Sequence, residues 1–287
     1  MLRKLVLMSA IMAGLVLSTL NSATEAKAAL PVVNMGAVAA AAHVEGRIGN
    51  QRSIGDDAST RRVQRALTAK GFRVAATGTY SRATTAAYAR YQRSLGYTGI
   101  NANGLPGYTS LTRLGVGRFR VSNPVRLSSR NDRYGTARVN SRTKRMLAAA
   151  DRKLPWKITV VQGSYCVFPK SRCVGESGGT HDGGGAIDVR VRDLSTTNRW
   201  RTVQALRQVG FAAWLRTPAQ CGGCWSAHIH AIAIGDTDVW QRNGRTTNRD
   251  QVADYIRSRN GLASHAADNT PRQYRVGFTW WERYASR

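Results

Sequence analysis

Three short segments between residues 59 and 114 carry apolar side chains at helical spacing. In the first, STRRVQRALTAKGF, Val63 and Leu67 lie four positions apart, Ser59 or Thr60 is placed to cap the start, and Gly71 is placed to end it. This pattern predicts a short amphipathic helix.

The second and third segments repeat this form. TTAAYARYQRSLGY has Thr84 or Thr85 as its cap and Gly96 as its end, and its apolar stripe consists of Ala87, Tyr88, Tyr91 and Leu95. A shorter segment with Leu111 and Leu114 follows a turn at residues 103–107. We therefore expect a small all-α three-helix domain over residues 59–117, near the lower size limit for a core without disulfides or metals.

The pattern changes after residue 137, where helical and strand periods are mixed. Residues 139–154 predict a helix capped by Asn140 or Ser141, and WKITVVQGSY is rich in the β-branched residues of a strand. Two further strands are expected in GGGAIDVRV and AHIHAIAIG. This mixture predicts an α+β domain over residues 138–262.

The other stretches lack a clear period. Residues 29–58 are rich in Ala, Gly and Val and predict a flexible lead-in, and the polar, basic residues 118–137 predict a linker. Residues 263–287 are interpreted as a C-terminal tail. Its Trp280 and Trp281 either stack on sugar rings or, in the commoner use of tryptophan, cap the domain's own core.

The first 28 residues have the features of a cleaved secretory signal peptide. Arg3 and Lys4 precede an apolar run from Leu5 to Leu20, and small residues follow. The run is shorter than the ~20 apolar residues that a spanning helix needs. We therefore expect cleavage after Ala28, a mature protein with no stable membrane span, and a secreted or cell-wall-associated location.

The four cysteines all lie in the mature part, and in an oxidising compartment an even number predicts two disulfides. Pairing of Cys166 with Cys173 and of Cys221 with Cys224 is favoured because each pair shares one loop, although the sequence leaves the connectivity open. A four-cysteine zinc site and a redox CxxC are the alternatives. Export and the lack of a second CxxC argue against both.

The formal net charge is +27. Loss of the leader would remove three basic residues and one acidic residue, a net charge of +2, and leave about +25. An exported protein with this charge is expected to meet peptidoglycan carboxylates and other anionic cell-wall polymers. Because the arginines are scattered, without a dense basic run, we expect no specific nucleic-acid binding.

Three of the five histidines lie in or beside two predicted strands. His181 precedes Asp188 across a glycine-rich stretch, and His228 and His230 share one face of the later strand because side chains alternate. Two imidazoles and a carboxylate are a usual ligand set for catalytic zinc. A lone histidine is more often structural, but the joint spacing favours zinc ligation by His181, Asp188 and His230, with His228 as a proton carrier. The glycines at 183–185 are expected to form a tight turn and to leave open space for a substrate.

Parts of both domains match known patterns. The helical segments carry Val63-Gln64, Leu67, Gly71-Phe72, Gly78, Tyr80, Thr84, Tyr88, Tyr91-Gln92, Leu95-Gly96, Gly104, Pro106-Gly107, Thr109 and Leu114. This succession resembles the peptidoglycan-binding domain found beside bacterial cell-wall hydrolases, although the family's Asp-Gly turns are Thr77-Gly78 and Asn103-Gly104 here. The resemblance implies wall binding by the module as a whole.

The second domain contains His181, Gly184, Ala186 and Asp188, followed by His228-Ile229-His230. These residues resemble the HxxGxAxD and HxH motifs of the zinc D-alanyl-D-alanine carboxypeptidases and their relatives, the lysostaphin and hedgehog group. The resemblance implies a metallopeptidase-like α+β fold with a central antiparallel sheet. It also implies that His181, Asp188 and His230 bind Zn²⁺ and that His228 is the catalytic histidine.

The chain departs from that family at two positions. Gly179 replaces a serine near the first ligand, and Cys166 replaces a substrate-binding arginine, whose role could pass to Arg172, Arg190 or Arg216. The resemblance implies a zinc peptidase that hydrolyses an amide bond of the peptidoglycan stem peptide, as a D-Ala-D-Ala carboxypeptidase or a cross-link endopeptidase. The alternatives are a non-catalytic wall-binding protein with a degenerate peptidase fold and, less favoured, a charge-driven DNA-binding or toxin-like protein.

Overall fold

The computed structural model describes residues 29–48, 54–164, 180, 181, 183–239 and 247–287. The predicted signal peptide lies outside these residues, and so do Cys166, Arg172, Cys173 and Gly179. The strands, numbered in chain order, are β1 Val32–Asn34, β2 Arg120–Ser122, β3 Asp132–Tyr134, β4 Ala137–Val139, β5 Val160–Gln162, β6 Ala186–Arg190, β7 Phe211–Arg216 and β8 His228–Ala233. The α-helices are α1 Met35–Ile48, α2 Asp57–Ala69, α3 Arg82–Ser94, α4 Tyr108–Gly115, α5 Ser141–Asp151, α6 Thr196–Gln208, α7 Thr247–Ile256 and α8 Trp281–Ala285.

A four-stranded antiparallel sheet, in the order β5-β6-β8-β7, forms the centre of the C-terminal half. One face carries Ile187, Phe211 and Ile229 and packs against α5 and α6. The other face carries Ala186 and Ile232 and packs against α1 and α7. Helices mixed with an antiparallel sheet confirm the coarse expectation for the fold, and the alternation predicted for β6 and β8 is confirmed as well.

The helices α2, α3 and α4 lie where the periodicity predicts them. Their apolar stripes meet in one core, formed by Val63, Leu67, Tyr88, Tyr91, Leu111 and Leu114 among others. The predicted caps of the first two helices are wrong. Asp56 caps α2 by accepting a hydrogen bond from the Ser59 backbone N–H, and Ser81 caps α3 in the same way from Thr84. Asn140 caps α5 as predicted.

The prediction of a flexible lead-in over residues 29–58 is wrong, because α1 is a buried helix within it. Val38 belongs to the core of α2–α4, whereas Ala37, Ala40 and Val44 belong to the core beneath the sheet. A helix that is buried on all sides has no polar stripe, and so it lacks the amphipathic period by which helices are recognised in a sequence. Small alanine side chains allow α1 to contact the helices and the sheet at once.

The predicted linker and tail are also parts of the folded structure. Within residues 118–137, β2 pairs in parallel with β1 and Phe119 is buried. In the tail, Trp280 is buried in the core beneath the sheet, and the Glu282 carboxylate forms a buried, two-bonded ion pair with Arg142. The core-capping use of the tryptophans is therefore confirmed for Trp280.

No helix within the described part of the chain has the length and apolar character needed to cross a membrane.

Candidate metal centre

The register of the sheet brings the predicted ligands together. Asp188 on β6 lies directly opposite His230 on β8, and a separate turn before β6 supplies His181. The Nδ1 atom of His230 is 2.8 Å from Oδ1 of Asp188, and Nε2 of His181 is 3.5 Å from Oδ2 of the same carboxylate. The Asp188 carboxylate therefore approaches both imidazoles.

The orientation of His181 suits a metal ligand. Its Nδ1 atom is 3.2 Å from the carbonyl oxygen of Gly163, and because a carbonyl only accepts, this ring nitrogen is the one that donates. In the neutral ring the lone pair is then on Nε2, the atom that faces Asp188. A backbone carbonyl that fixes the tautomer in this way is usual for a metal-binding histidine.

His230 is buried and neutral at physiological pH. Burial lowers the pKa of the imidazole to about 4, even though the Asp188 carboxylate acts to raise it. Its Nε2 atom is buried and has no hydrogen-bond partner among the described residues. A buried polar nitrogen without a hydrogen bond costs free energy, and coordination of a metal ion by this ring would offset that cost.

Asp188 is held in its ionised form. Burial by itself raises the pKa of this carboxyl, but the neighbouring His181 and His230 side chains lower it well below its usual range. One candidate ligand atom from each of these three residues lies within 4.8 Å of the others. Two imidazole nitrogens and one carboxylate fit a zinc ion.

His228 lies beside this group and is partly exposed. Its Nε2 atom is 3.9 Å from Oδ1 of Asp188, and its Nδ1 atom donates to the carbonyl of Ser226 at 2.8 Å. The neutral ring therefore presents Nε2 as a proton acceptor on the side of the candidate metal ligands. The structure thus places all four predicted site residues at one point of the sheet.

The glycines at 183–185 do not leave open space, so that expectation is wrong. A Cβ atom on Gly185 would lie 2.5 Å from Oδ2 of Asp236, and one on Gly184 would lie 2.5 Å from the backbone nitrogen of Asn140. A Cβ on Gly183 would meet the carbonyl oxygen of Asp238. The stretch lacks side chains because its backbone packs directly against the start of α5 and the loop after β8.

The open space lies instead over the sheet face. A cavity of about 620 Å³ is lined by Asp188, His228 and Arg216 and, beyond these, by Val161, Gln162, Thr180, His181, Arg190, Arg192, Trp225, Ser226, Ala227, His230, Gln251 and Leu262. A separate cavity of about 460 Å³ beside α4 contains a single carboxylate, Asp238, which is already paired with Arg130. Only the first cavity adjoins a set of candidate metal ligands among the described residues.

The loop that leads into β8 is closed by a disulfide between Cys221 and Cys224, as predicted. The pairing of Cys166 with Cys173 stays a prediction, since both lie outside the described residues. In the same loop, Trp225 lines the cavity and its ring meets that of His228 edge to face, with centroids 5.9 Å apart. Its indole N–H is bonded to the Thr217 carbonyl, which fixes the ring beside the histidine.

One contact that supports the site was not predicted from the sequence. Trp214 on β7 lies opposite His230 and stacks on it, with ring centroids 6.4 Å apart. The sequence feature that points to this contact is the apolar run Phe211–Leu215, which is buried throughout and lies next to β8 in the sheet.

Comparison with known proteins identified no matching family model, no similar curated protein and no similar solved structure.

Proposed function

We propose that the protein is a secreted, peptidoglycan-binding zinc peptidase that hydrolyses an amide bond of the cell-wall stem peptide. The observation that supports this proposal is the grouping of His181, Asp188 and His230 at the wall of a cavity of about 620 Å³, with His228 beside them. In this proposal the C-terminal half is a metallopeptidase-like domain, and the helices α2–α4 are its wall-binding module.

The four residues have two roles, metal ligation and proton transfer. His181, Asp188 and His230 would hold the zinc ion, which when bound polarises a carbonyl and lowers the pKa of water to about 7. His228 accepts the proton released by the attacking water at Nε2 and returns it to the nitrogen of the departing amine. The hydrogen bond from its Nδ1 atom to the Ser226 carbonyl keeps Nε2 available for both transfers.

The wall-binding and export parts of the proposal rest on the sequence. A leader-like first segment and a net charge of +27 suit a protein that works among anionic wall polymers. Attachment through the helical module would raise the effective concentration of stem peptides at the zinc site.

Digestion of purified peptidoglycan tests the catalytic part. The zinc-loaded protein should release D-alanine or new amino groups, and Asp188→Ala should abolish the release. His265→Ala is the matched control, because His265 is a half-exposed histidine bonded to Asp254 and does not line the cavity. If zinc binds and the protein sediments with the wall but no bond is cut, the non-catalytic wall-binding alternative replaces the peptidase.

A further inference from the structure

A second row of charged side chains crosses the sheet next to the candidate ligands. Arg190 on β6 and Arg216 on β7 both lie opposite His228 on β8, and all three belong to the face that carries Asp188 and His230. The two rows are two residues apart along the strands, which is about 6.6–6.8 Å. A ligand in the cavity would therefore meet the metal ligands and the arginine row together.

Arg216 differs from the other arginines of the cavity in having no carboxylate partner in the part of the chain that the structure describes. The Nη2 atom of Arg190 is 2.5 Å from Oδ2 of Asp193, and the Nε atom of Arg192 is 3.7 Å from Oδ1 of the same carboxylate. Arg216 has no ion pair among the described residues, and its Nη1 atom donates to the backbone carbonyl of Asn260. It lines the cavity although only 2 % of its surface is exposed.

The surroundings of Arg216 hold the guanidinium in place. Its Cζ atom lies 5.1 Å from the ring centre of Trp214, and the hydrogen bond to Asn260 fixes one of its nitrogens. Burial lowers the pKa of Arg216 to about 10, against the opposing influence of Asp188 and Asp268, so the group remains protonated at neutral pH. A buried cation without a paired anion is unfavourable in the free protein, and an anionic ligand group would relieve that cost.

The spacing of the two rows fits one amino-acid residue. An extended residue spans at most ~3.3–3.6 Å, and a charge-assisted hydrogen bond adds ~2.7–2.9 Å, so a carboxylate one residue beyond the scissile carbonyl reaches about 6 Å. This reach matches the offset between the rows. A cross-link in which that residue continues through a further peptide bond would offer a neutral amide at the same place and leave Arg216 unpaired.

We propose that Arg216 binds the free C-terminal carboxylate of the substrate, so that the protein removes a single terminal residue rather than cutting cross-links that continue through a peptide bond at that position. This assignment rests on the proposed function. It distinguishes the two forms of that function, carboxypeptidase and endopeptidase. Arg216 acts here as a specificity-determining residue, because its guanidinium contacts the substrate carboxylate directly.

Equilibrium binding tests this assignment without relying on turnover. The probes are N-acetyl-D-Ala-D-Ala and its C-terminal amide, titrated calorimetrically into the zinc-loaded protein carrying His228→Gln, which prevents hydrolysis during the measurement. We expect the acid to bind roughly 10- to 100-fold more tightly than the amide, as for hydrogen bonds to charged groups. Comparing two ligands on one protein removes any ambiguity from misfolding.

Variants then locate the preference. Arg216→Gln should reduce the preference for the acid to less than about threefold, Arg216→Lys should keep part of it, and the control Arg190→Gln should keep most of it. Equal affinity for acid and amide, no binding of either, or a preference that survives Arg216→Gln would overturn the assignment.

The two proposals fail in different ways. Release of internal cross-links from peptidoglycan without any preference for the acid would retain the peptidase and reject the role of Arg216. A preference for the acid without cleavage of any substrate would retain the carboxylate site and reject the peptidase.

Discussion

Gly184→Ala tests whether the glycine-rich stretch is needed for close backbone packing. The added methyl group would lie 2.5 Å from the backbone nitrogen of Asn140 and 2.9 Å from its Cβ atom, about 1 Å closer than ordinary van der Waals contact. Because the Asn140 N–H also donates to the Gly184 carbonyl, relief of the clash separates the stretch from the start of α5. Overpacking of this kind costs about 1–3 kcal/mol, which lowers the melting temperature by roughly 2–12 °C.

Urea unfolding of the metal-free protein measures this loss, and a zinc titration measures its effect on the ligands. The stretch lies between His181 and Asp188, so we expect weaker zinc binding as well. Gly277→Ala is the control, because a Cβ there meets no atom within 4 Å. If Gly184→Ala unfolds at the same urea concentration as Gly277→Ala and binds zinc equally well, the packing explanation is wrong.

Two further predictions concern buried charges. Glu282→Ala should lower the free energy of unfolding by about 3–5 kcal/mol, because it leaves the Arg142 guanidinium buried without its carboxylate. In a urea titration, the double variant Arg142→Met with Glu282→Leu should recover most of this loss. A loss below about 1 kcal/mol for Glu282→Ala would show that the tail is dispensable. Burial lowers the pKa of His43 well below its usual value, and the charge of Arg249 adds to this effect. The unfolded state therefore binds a proton at His43 below about pH 6.5, whereas the folded state does not. The free energy of unfolding should therefore fall as the pH drops below about 6.5. His43→Asn can still accept a hydrogen bond from the Gly235 N–H, and it should make this fall less steep. Equal dependence of the unfolding free energy on pH in the two proteins would contradict this account.

Local sequence patterns were sufficient to predict the elements that have one polar and one apolar side. The helices α2–α4 were predicted because Val63, Leu67 and Leu111 recur against polar neighbours, and the alternation around His228 and His230 placed both rings on one face of β8. In contrast, α1 contacts two cores and has no polar stripe, so its sequence lacks the amphipathic period of a surface helix.

The rest of the site depends on contacts between distant segments. Strand register decides that Asp188 meets His230 and that Arg216 lies opposite His228, and no local pattern encodes a register between strands that no tight turn connects. The sequence left three arginines as equal candidates, and pairing of Arg190 with Asp193 separates it from Arg216. The glycine count was visible in the sequence, but the Asn140 and Asp236 atoms that make glycine necessary were not.

Zinc content is the most direct test of the candidate metal centre. After dialysis against a zinc buffer, the account predicts about one zinc per chain, nearly complete loss of it in His181→Ala, Asp188→Ala and His230→Ala, and full retention in His265→Ala. A wild-type protein without zinc, or zinc that is retained in all three ligand variants, would contradict the assignment of His181, Asp188 and His230 as its ligands.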